Sequence, residues 1–335
     1  MNPSIKKKIS YFIFFGLAAL LLFFAFRGVD FKAMVVGFQN ANYGWVILSL
    51  IAGFAAHAVR SLRWQLLIEP LGYKPSLLNT MGALLLGYMT NLAFPRLGEI
   101  TRCASLRKTD KIPFESLVGT VIVERAFDVL MILLLVIAVF LVRIEFFGGF
   151  IWDQIAIPLG QKIASVFTYF PFAVLFVLAV VIILFLLIRR NIFGTKFKSK
   201  FISIFWGVID GLKSVYTMKK RKAFFGYTIL LWLLYWLMTW LLIFATEPTS
   251  QLSLIDGFFL LVIGSLGMAA PVQGGFGAFH IITAMGLGIY GISWEDGLVW
   301  ATISHESQTL LMLMLGVGFM LILFFRNRTQ PKTHK

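Results

Sequence analysis

Apolar runs near or above ~18 residues recur along this chain, the length a helix needs to cross the hydrocarbon core of a bilayer. Nothing else in the sequence constrains the fold as strongly. At that depth no water satisfies the backbone, so only helices and closed barrels are viable spanning structures. The runs are continuous rather than alternating, which selects helices. Charged residues make up 13% of the chain, where a soluble domain carries about 25%. The polar intervals are shorter than the ~50 residues an independent soluble domain requires. The expected fold is all-α and polytopic, with residues 1–335 as one integral membrane domain.

A net charge of +15 raises the possibility of nucleic acid as a partner. However, the Lys and Arg sit between hydrophobic runs rather than along one surface, which is the pattern of topology signals, and no nucleic-acid partner is expected. One cysteine, Cys103, excludes an internal disulfide and any multi-cysteine metal site. Lys6, Lys7 and Lys8 precede the first apolar run as in a signal peptide. No small-residue cleavage site follows it, so a retained signal-anchor is expected.

Six full spans are predicted, at about 9–26, 43–68, 114–142, 170–188, 223–245 and 297–325. Arg60 and Arg63, in the last third of the second, are expected to snorkel to the interface. Two further apolar segments are broken. The first runs from Leu77 and is interrupted by Pro95 and Gly98. If it crossed fully, Arg96, Arg102, Arg107, Lys108 and Lys111 would lie outside, against the positive-inside rule. The second, 254–290, is interrupted at Pro271-Val272-Gln273-Gly274-Gly275-Phe276-Gly277, and its flanks lack Lys and Arg. Both are predicted to be re-entrant helical hairpins, one entering from each side, because broken backbone at that depth survives only against protein or a water-filled cavity. Segment 189–222 is dense in Lys and Arg with Asp210 as its one acid, and is expected to be a cytoplasmic loop.

This layout repeats itself. Each half, about 9–143 and 169–325, reads span, span, broken hairpin, span, and the halves enter from opposite faces. Such inverted repeats hold their substrate sites where the interrupted segments meet.

Ionised side chains at membrane depth are functional candidates by default. On a helix Glu124, Arg125 and Asp128 fall within about 100° of arc. Two carboxylates one turn apart repel unless cations intervene. Arg125 alone cannot satisfy both, which points to Arg96 or Arg102 from the first hairpin. Arg96, Glu99 and Arg102 share one short helix in this reading, and guanidinium forks suit phosphate. The helix start after Pro95 adds free N–H groups. The group is read either as a lipid-headgroup cavity or as an ion network pinning the hairpin to the third span, and the two roles are compatible. In the second hairpin Gly274, Gly275 and Gly277 permit a tight turn, with His280 just beyond as a hydrogen-bonding or titrating group. The last span carries a polar cluster at His305, Glu306 and Gln308, whose plainest role is interhelical hydrogen bonding. No H-E-x-x-H, G-x-S-x-G or metal-type spacing is present, so no catalytic residue, metal or cofactor is expected.

Pro95-Arg96-Leu97-Gly98-Glu99-x-x-Arg102, Glu124-Arg125-x-x-Asp128 and Pro271-x-x-Gly274-Gly275-x-Gly277 together resemble the lysylphosphatidylglycerol synthase transmembrane region, over nearly the whole chain. The resemblance implies a flippase-like protein of the bacterial inner membrane that moves a phospholipid or related amphiphile between leaflets. His280 stands where many relatives have an acid, and His305 and Gln308 where they often have Arg and Tyr; losing the acid weakens the case for a cationic aminoacyl headgroup. Members with a fused soluble domain synthesise aminoacyl-phosphatidylglycerol. Without that domain up to Lys335, this chain is expected not to be an enzyme. The expected partner is membrane phospholipid with an anionic headgroup, with a second copy of the chain or a soluble cytoplasmic protein as further candidates. Both termini are expected in the cytoplasm. The alternatives are a membrane enzyme acting on a lipid-linked substrate and a non-transporting partner subunit.

Overall fold

The structure, a computed structural model, describes residues 16, 20, 22–23, 25–94, 97–142, 218–270 and 272–329, with side chains through 322. Most of the predicted first span, the fourth span, most of the basic 189–222 segment, and Pro95, Arg96 and Pro271 lie outside the described residues.

Local chemistry sets the helix boundaries. Asp30 caps α1 (Phe31–Asn40) by accepting from the amide of Lys32 at 2.8 Å, and Asn42 caps α2 (Tyr43–Ile68) by accepting from Gly44 at 3.0 Å. A 3-10 turn, Glu69–Leu71, carries α2 to Gly72, whose positive φ lets the chain reverse. Ser76 caps α3 (Leu77–Ala93). That helix stops at Phe94, which is extended because a residue preceding proline is excluded from the helical region. α4 (Gly98–Asp110) places Glu99 in its first turn and Arg107 and Lys108 in its last, in the sense that complements the helix dipole. α5 (Phe114–Val142) and α6 (Arg221–Ile243) follow. A reciprocal Ser253–Asp256 capping box opens α7 (Leu254–Ala269), and α8 (Ala278–Gly288) and α9 (Trp294–Thr329) complete the described chain. No strand occurs among the described residues.

Among the described residues, four helices are long and apolar enough to cross a membrane: Tyr43–Leu71, Phe114–Val142, Arg221–Ile243 and Trp294–Ile322. They coincide with the predicted second, third, fifth and sixth spans. On α5 the residues Val129, Leu130, Leu133, Leu134, Ile137 and Leu141 are all exposed, a surface that only an apolar medium accommodates at this extent.

Each broken segment folds into a pair of packed helices, α3 on α4 and α7 on α8. Small residues make this possible. A Cβ on Gly98 would overlap the carbonyl oxygen of Gly87, and one on Gly267 would sit 2.7 Å from the Cα of Phe279. Asn91 Oδ1 accepts from the Gly98 amide at 2.7 Å and pins α4 back against α3. In the second pair the reversal uses Gly274, Gly275 and Gly277 at φ of 55°, 80° and 78°, a region closed to most L-residues.

The packing partners recur between halves. α2 packs on α3 as α6 packs on α7, α3 on α9 as α7 on α5, and α4 on α5 as α8 on α9. α2 and α6 run antiparallel along the centre: Asn42 donates its amide to the Ala245 carbonyl at one end (2.8 Å), and Lys220 pairs with Glu69 at the other (3.1 Å). One apolar cluster, including Val46, Leu242 and Trp300, fills the first end. A second, including Trp64, Leu117 and Phe224, fills the other. The tips of the two hairpins touch, since the Gln273–Gly275 turn packs on α3, with Leu92 against Gly274.

Candidate functional site

Beside the second apolar cluster lies a network of seven charged side chains drawn from three helices. α5 supplies Glu124 and Asp128, one turn apart and facing α2. α2 answers with Arg60 and Arg63, also nearly one turn apart, so two cations meet two anions across the helix pair. Arg60 Nη2 lies 2.6 Å from Glu124 Oε1 and 2.9 Å from Asp128 Oδ2. Arg63 Nη2 lies 2.7 Å from Asp128 Oδ1 and 3.5 Å from Glu124 Oε1. From α4, Arg102 reaches Glu124 Oε2 at 2.9 Å and Glu99 at 2.7 Å, with its guanidinium carbon 4.6 Å above the Trp64 ring. The Trp64 indole donates to Thr120 at 2.9 Å, which fixes the ring under Arg102. Arg125 closes the network at Glu99 (2.5 Å) and Asp128 (3.6 Å). Tyr235 on α6 accepts from Arg60 at 2.9 Å.

The arrangement is buried. The Glu124 and Arg63 side chains are 0% exposed, and only Arg125 and Glu99 reach an open surface, at 41% and 30%. Removing one partner from such a network typically costs ~3–5 kcal/mol, because the other charge is left uncompensated in a poor dielectric. Charge and donors are both in excess. Among the described residues, four guanidinium groups face three carboxylates, and Arg63 Nη1 and Arg102 Nη2 have no hydrogen-bond partner. A narrow cleft at the α3–α4 junction, bordered by Tyr88, Asn91, Gly98, Glu99, Arg102 and Arg125, opens onto this network and holds about 10 Å³, close to the room for a single water. A larger cleft of about 370 Å³ lies between the end of α2 and the start of α6, beside Glu69, Tyr73 and Lys220, but has no unpaired buried donor among the described residues.

The structure brings together Glu99, Arg102, Glu124, Arg125 and Asp128; Arg96 lies outside the described residues. It corrects the reading of Arg60 and Arg63. Both are buried rather than snorkelling, and they are the principal cations on Glu124 and Asp128. The available signal was the match between arginines three apart on one predicted span and carboxylates four apart on another.

A second polar group forms at the other hairpin. His305 Nε2 lies 2.7 Å from the Gly274 carbonyl oxygen and its Nδ1 lies 2.9 Å from Glu306 Oε1. His280 is 2% exposed, with Nε2 3.7 Å from the same Glu306 oxygen. Gln308 stands apart from this group, donating to Ser49 on α2 at 3.2 Å. In both halves, therefore, the second arm of the hairpin meets a carboxylate on the following span: Arg102 with Glu124, and His280 with Glu306.

Fold and site define a multi-pass helical membrane protein with two broken helix pairs and a buried ion network. The chain belongs to the lysylphosphatidylglycerol synthase transmembrane region family, whose pattern matches residues 11–316. It is 32% identical over 114 residues to the UPF0104 membrane protein MJ1595 of Methanocaldococcus jannaschii, a match covering 32% of this chain and 33% of that protein. It is 24% identical over 351 residues to the glycosyltransferase AglD of Haloferax volcanii, covering 96% of this chain and 56% of that protein. The chain thus spans about a third and just over half of the lengths of these curated relatives. No solved structure matches it. The expectation that the chain is not an enzyme is corrected by the second relative: a protein named as a glycosyltransferase aligns along nearly all of this chain, so weak catalytic motifs are no ground for excluding enzymatic chemistry.

Proposed function

We propose that this protein binds the phosphate-bearing headgroup of a phospholipid or related amphiphile at the Arg60–Arg63–Arg102–Arg125 cluster and carries it between leaflets. The observation that carries this reading is the surplus, among the described residues, of guanidinium over carboxylate at a buried site, with donors on Arg63 and Arg102 unpaired there. Guanidinium forks match phosphate oxygens bidentately, and Glu99, Glu124 and Asp128 hold the forks in place. The cleft is narrow in this conformation, so headgroup entry requires the α3–α4 pair to move against α5. Both helix pairs are re-entrant in this reading, and the recurrence of packing partners between halves supports an inverted repeat whose hairpins gate alternately. Both termini lie in the cytoplasm of a bacterial inner membrane, in keeping with the positive-inside rule.

The experiment is a leaflet-accessibility assay in proteoliposomes carrying a labelled anionic phospholipid. The protein redistributes the label, and Arg102→Gln abolishes redistribution. An unchanged lipid distribution in the presence of the wild-type protein rules out translocation.

A second reading is favoured by the glycosyltransferase that aligns along the chain: the membrane domain presents a lipid-linked substrate for group transfer. Loss of turnover of a labelled lipid-linked substrate in Glu124→Gln, with binding retained, selects this reading over the first.

A further inference from the structure

The contact between Gly274, His305 and Glu306 cannot be satisfied by a neutral histidine beside an ionised glutamate. The Gly274 carbonyl only accepts, so Nε2 of His305 carries a proton and donates across 2.7 Å. A neutral ring then bears a lone pair on Nδ1, and this faces Glu306 Oε1 at 2.9 Å, another lone-pair atom. A positive species has to lie between them, either a second proton or a metal ion.

We propose that His280, His305 and Glu306 form a site for a divalent transition metal of the zinc type, tying the second hairpin to the last span. The three donor atoms lie within 4.8 Å of one another. Zinc binds imidazole nitrogen and carboxylate oxygen at about 2.0–2.2 Å, so a separation near 2.9 Å corresponds to an angle of about 90° at the metal. The 3.7 Å from His280 Nε2 to the same oxygen fits a wider angle at the same centre. Two imidazoles and one carboxylate are a ligand set that leaves a fourth position open. The Gly274 carbonyl acts as the outer partner that fixes the metal-ready tautomer of His305. Phe276 and Phe279 wall His305, with ring centroids at 4.9 and 5.2 Å, and Phe26 flanks His280 at 6.1 Å. These rings limit the competition from water. Nothing in the spacing revealed this set, because His280 and His305 belong to different helices and meet only through the packing of α8 on α9.

The site is tested on tag-free full-length protein in lipid nanodiscs, in a His334→Ala background that removes the tail histidine, by titration with Zn²⁺ and with Co²⁺ as a visible probe. The expected result is one equivalent bound per chain, a Co²⁺ absorption spectrum of the intense four- or five-coordinate type, and a metal-dependent rise in unfolding temperature. His280→Gln, His305→Gln and Glu306→Gln each weaken binding at least tenfold, whereas His57→Gln on α2 leaves it unchanged. Absence of binding at micromolar metal, or binding equal across all variants, overturns the proposal and leaves the group as a protonated histidine–glutamate pair. If a variant does not fold, the wild-type spectrum decides: a weak six-coordinate spectrum refutes the site.

Discussion

Glu124 is the hub of the ion network, and neutralising it gives the sharpest test of the site. Its carboxylate lies 2.6 Å from Arg60, 2.9 Å from Arg102 and 3.5 Å from Arg63, with the side chain 0% exposed. In Glu124→Gln the shape is retained while four guanidinium groups face only Glu99 and Asp128. A buried network broken in this way loses about 3–5 kcal/mol. Glu99 provides the internal control, since it bridges Arg102 and Arg125 but is 30% exposed. Its partner Arg125 is 41% exposed and its buried partner Arg102 keeps Glu124 at 2.9 Å, so Glu99→Gln costs about 1 kcal/mol or less. The assay is thermal unfolding of the purified protein in nanodiscs, read by the exposure of buried tryptophan. The expected order is a large drop for Glu124→Gln and a small one for Glu99→Gln. A double-mutant cycle of Glu124→Gln with Arg102→Gln should show a coupling of roughly 1–3 kcal/mol, because the two variants remove the same contact. An unfolding temperature for Glu124→Gln equal to that of the wild type, or above that of Glu99→Gln, would refute the claim that this carboxylate compensates buried cations.

Other expectations follow from the packing. Gly98→Ala drives a methyl group into the Gly87 carbonyl and should destabilise by about 1–3 kcal/mol in the same unfolding assay. Gly226→Ala on α6, with nothing near its Cβ, should stay within about 0.5 kcal/mol of wild type. Trp64→Phe keeps an aromatic face under Arg102 but loses the donor to Thr120, and should cost about 1 kcal/mol; Trp64→Ala adds a cavity and should cost about 3–5 kcal/mol. Cys103 is fully buried and should not react with a membrane-impermeant maleimide in the native protein. A cysteine introduced by Lys108→Cys in a Cys103→Ala background should label from the cytoplasmic side; labelling from the opposite side would show that the first broken segment crosses the membrane completely.

The sequence alone determined the class of the protein and where its helices break. Long apolar runs permit only spanning helices, and the interruptions at Pro95 and at Gly274, Gly275 and Gly277 follow from φ preferences that act within a few residues. Glu124, Arg125 and Asp128 were legible as a site because ionised groups inside an apolar helix require partners. Which partners they have was decided by the tertiary structure. A helix that is apolar on nearly every side carries little record of which face meets which neighbour, so the pairing of α2 with α5 could not be read from periodicity. That pairing turns Arg60 and Arg63 from expected interfacial anchors into the cations at the centre of the network. The packing of α8 on α9 likewise joins His280 to His305 and Glu306 across residues whose separation in the chain conveys nothing. Backbone breaks are local events written in local sequence. The compensation of buried charge is settled only when helices distant in the chain come into contact.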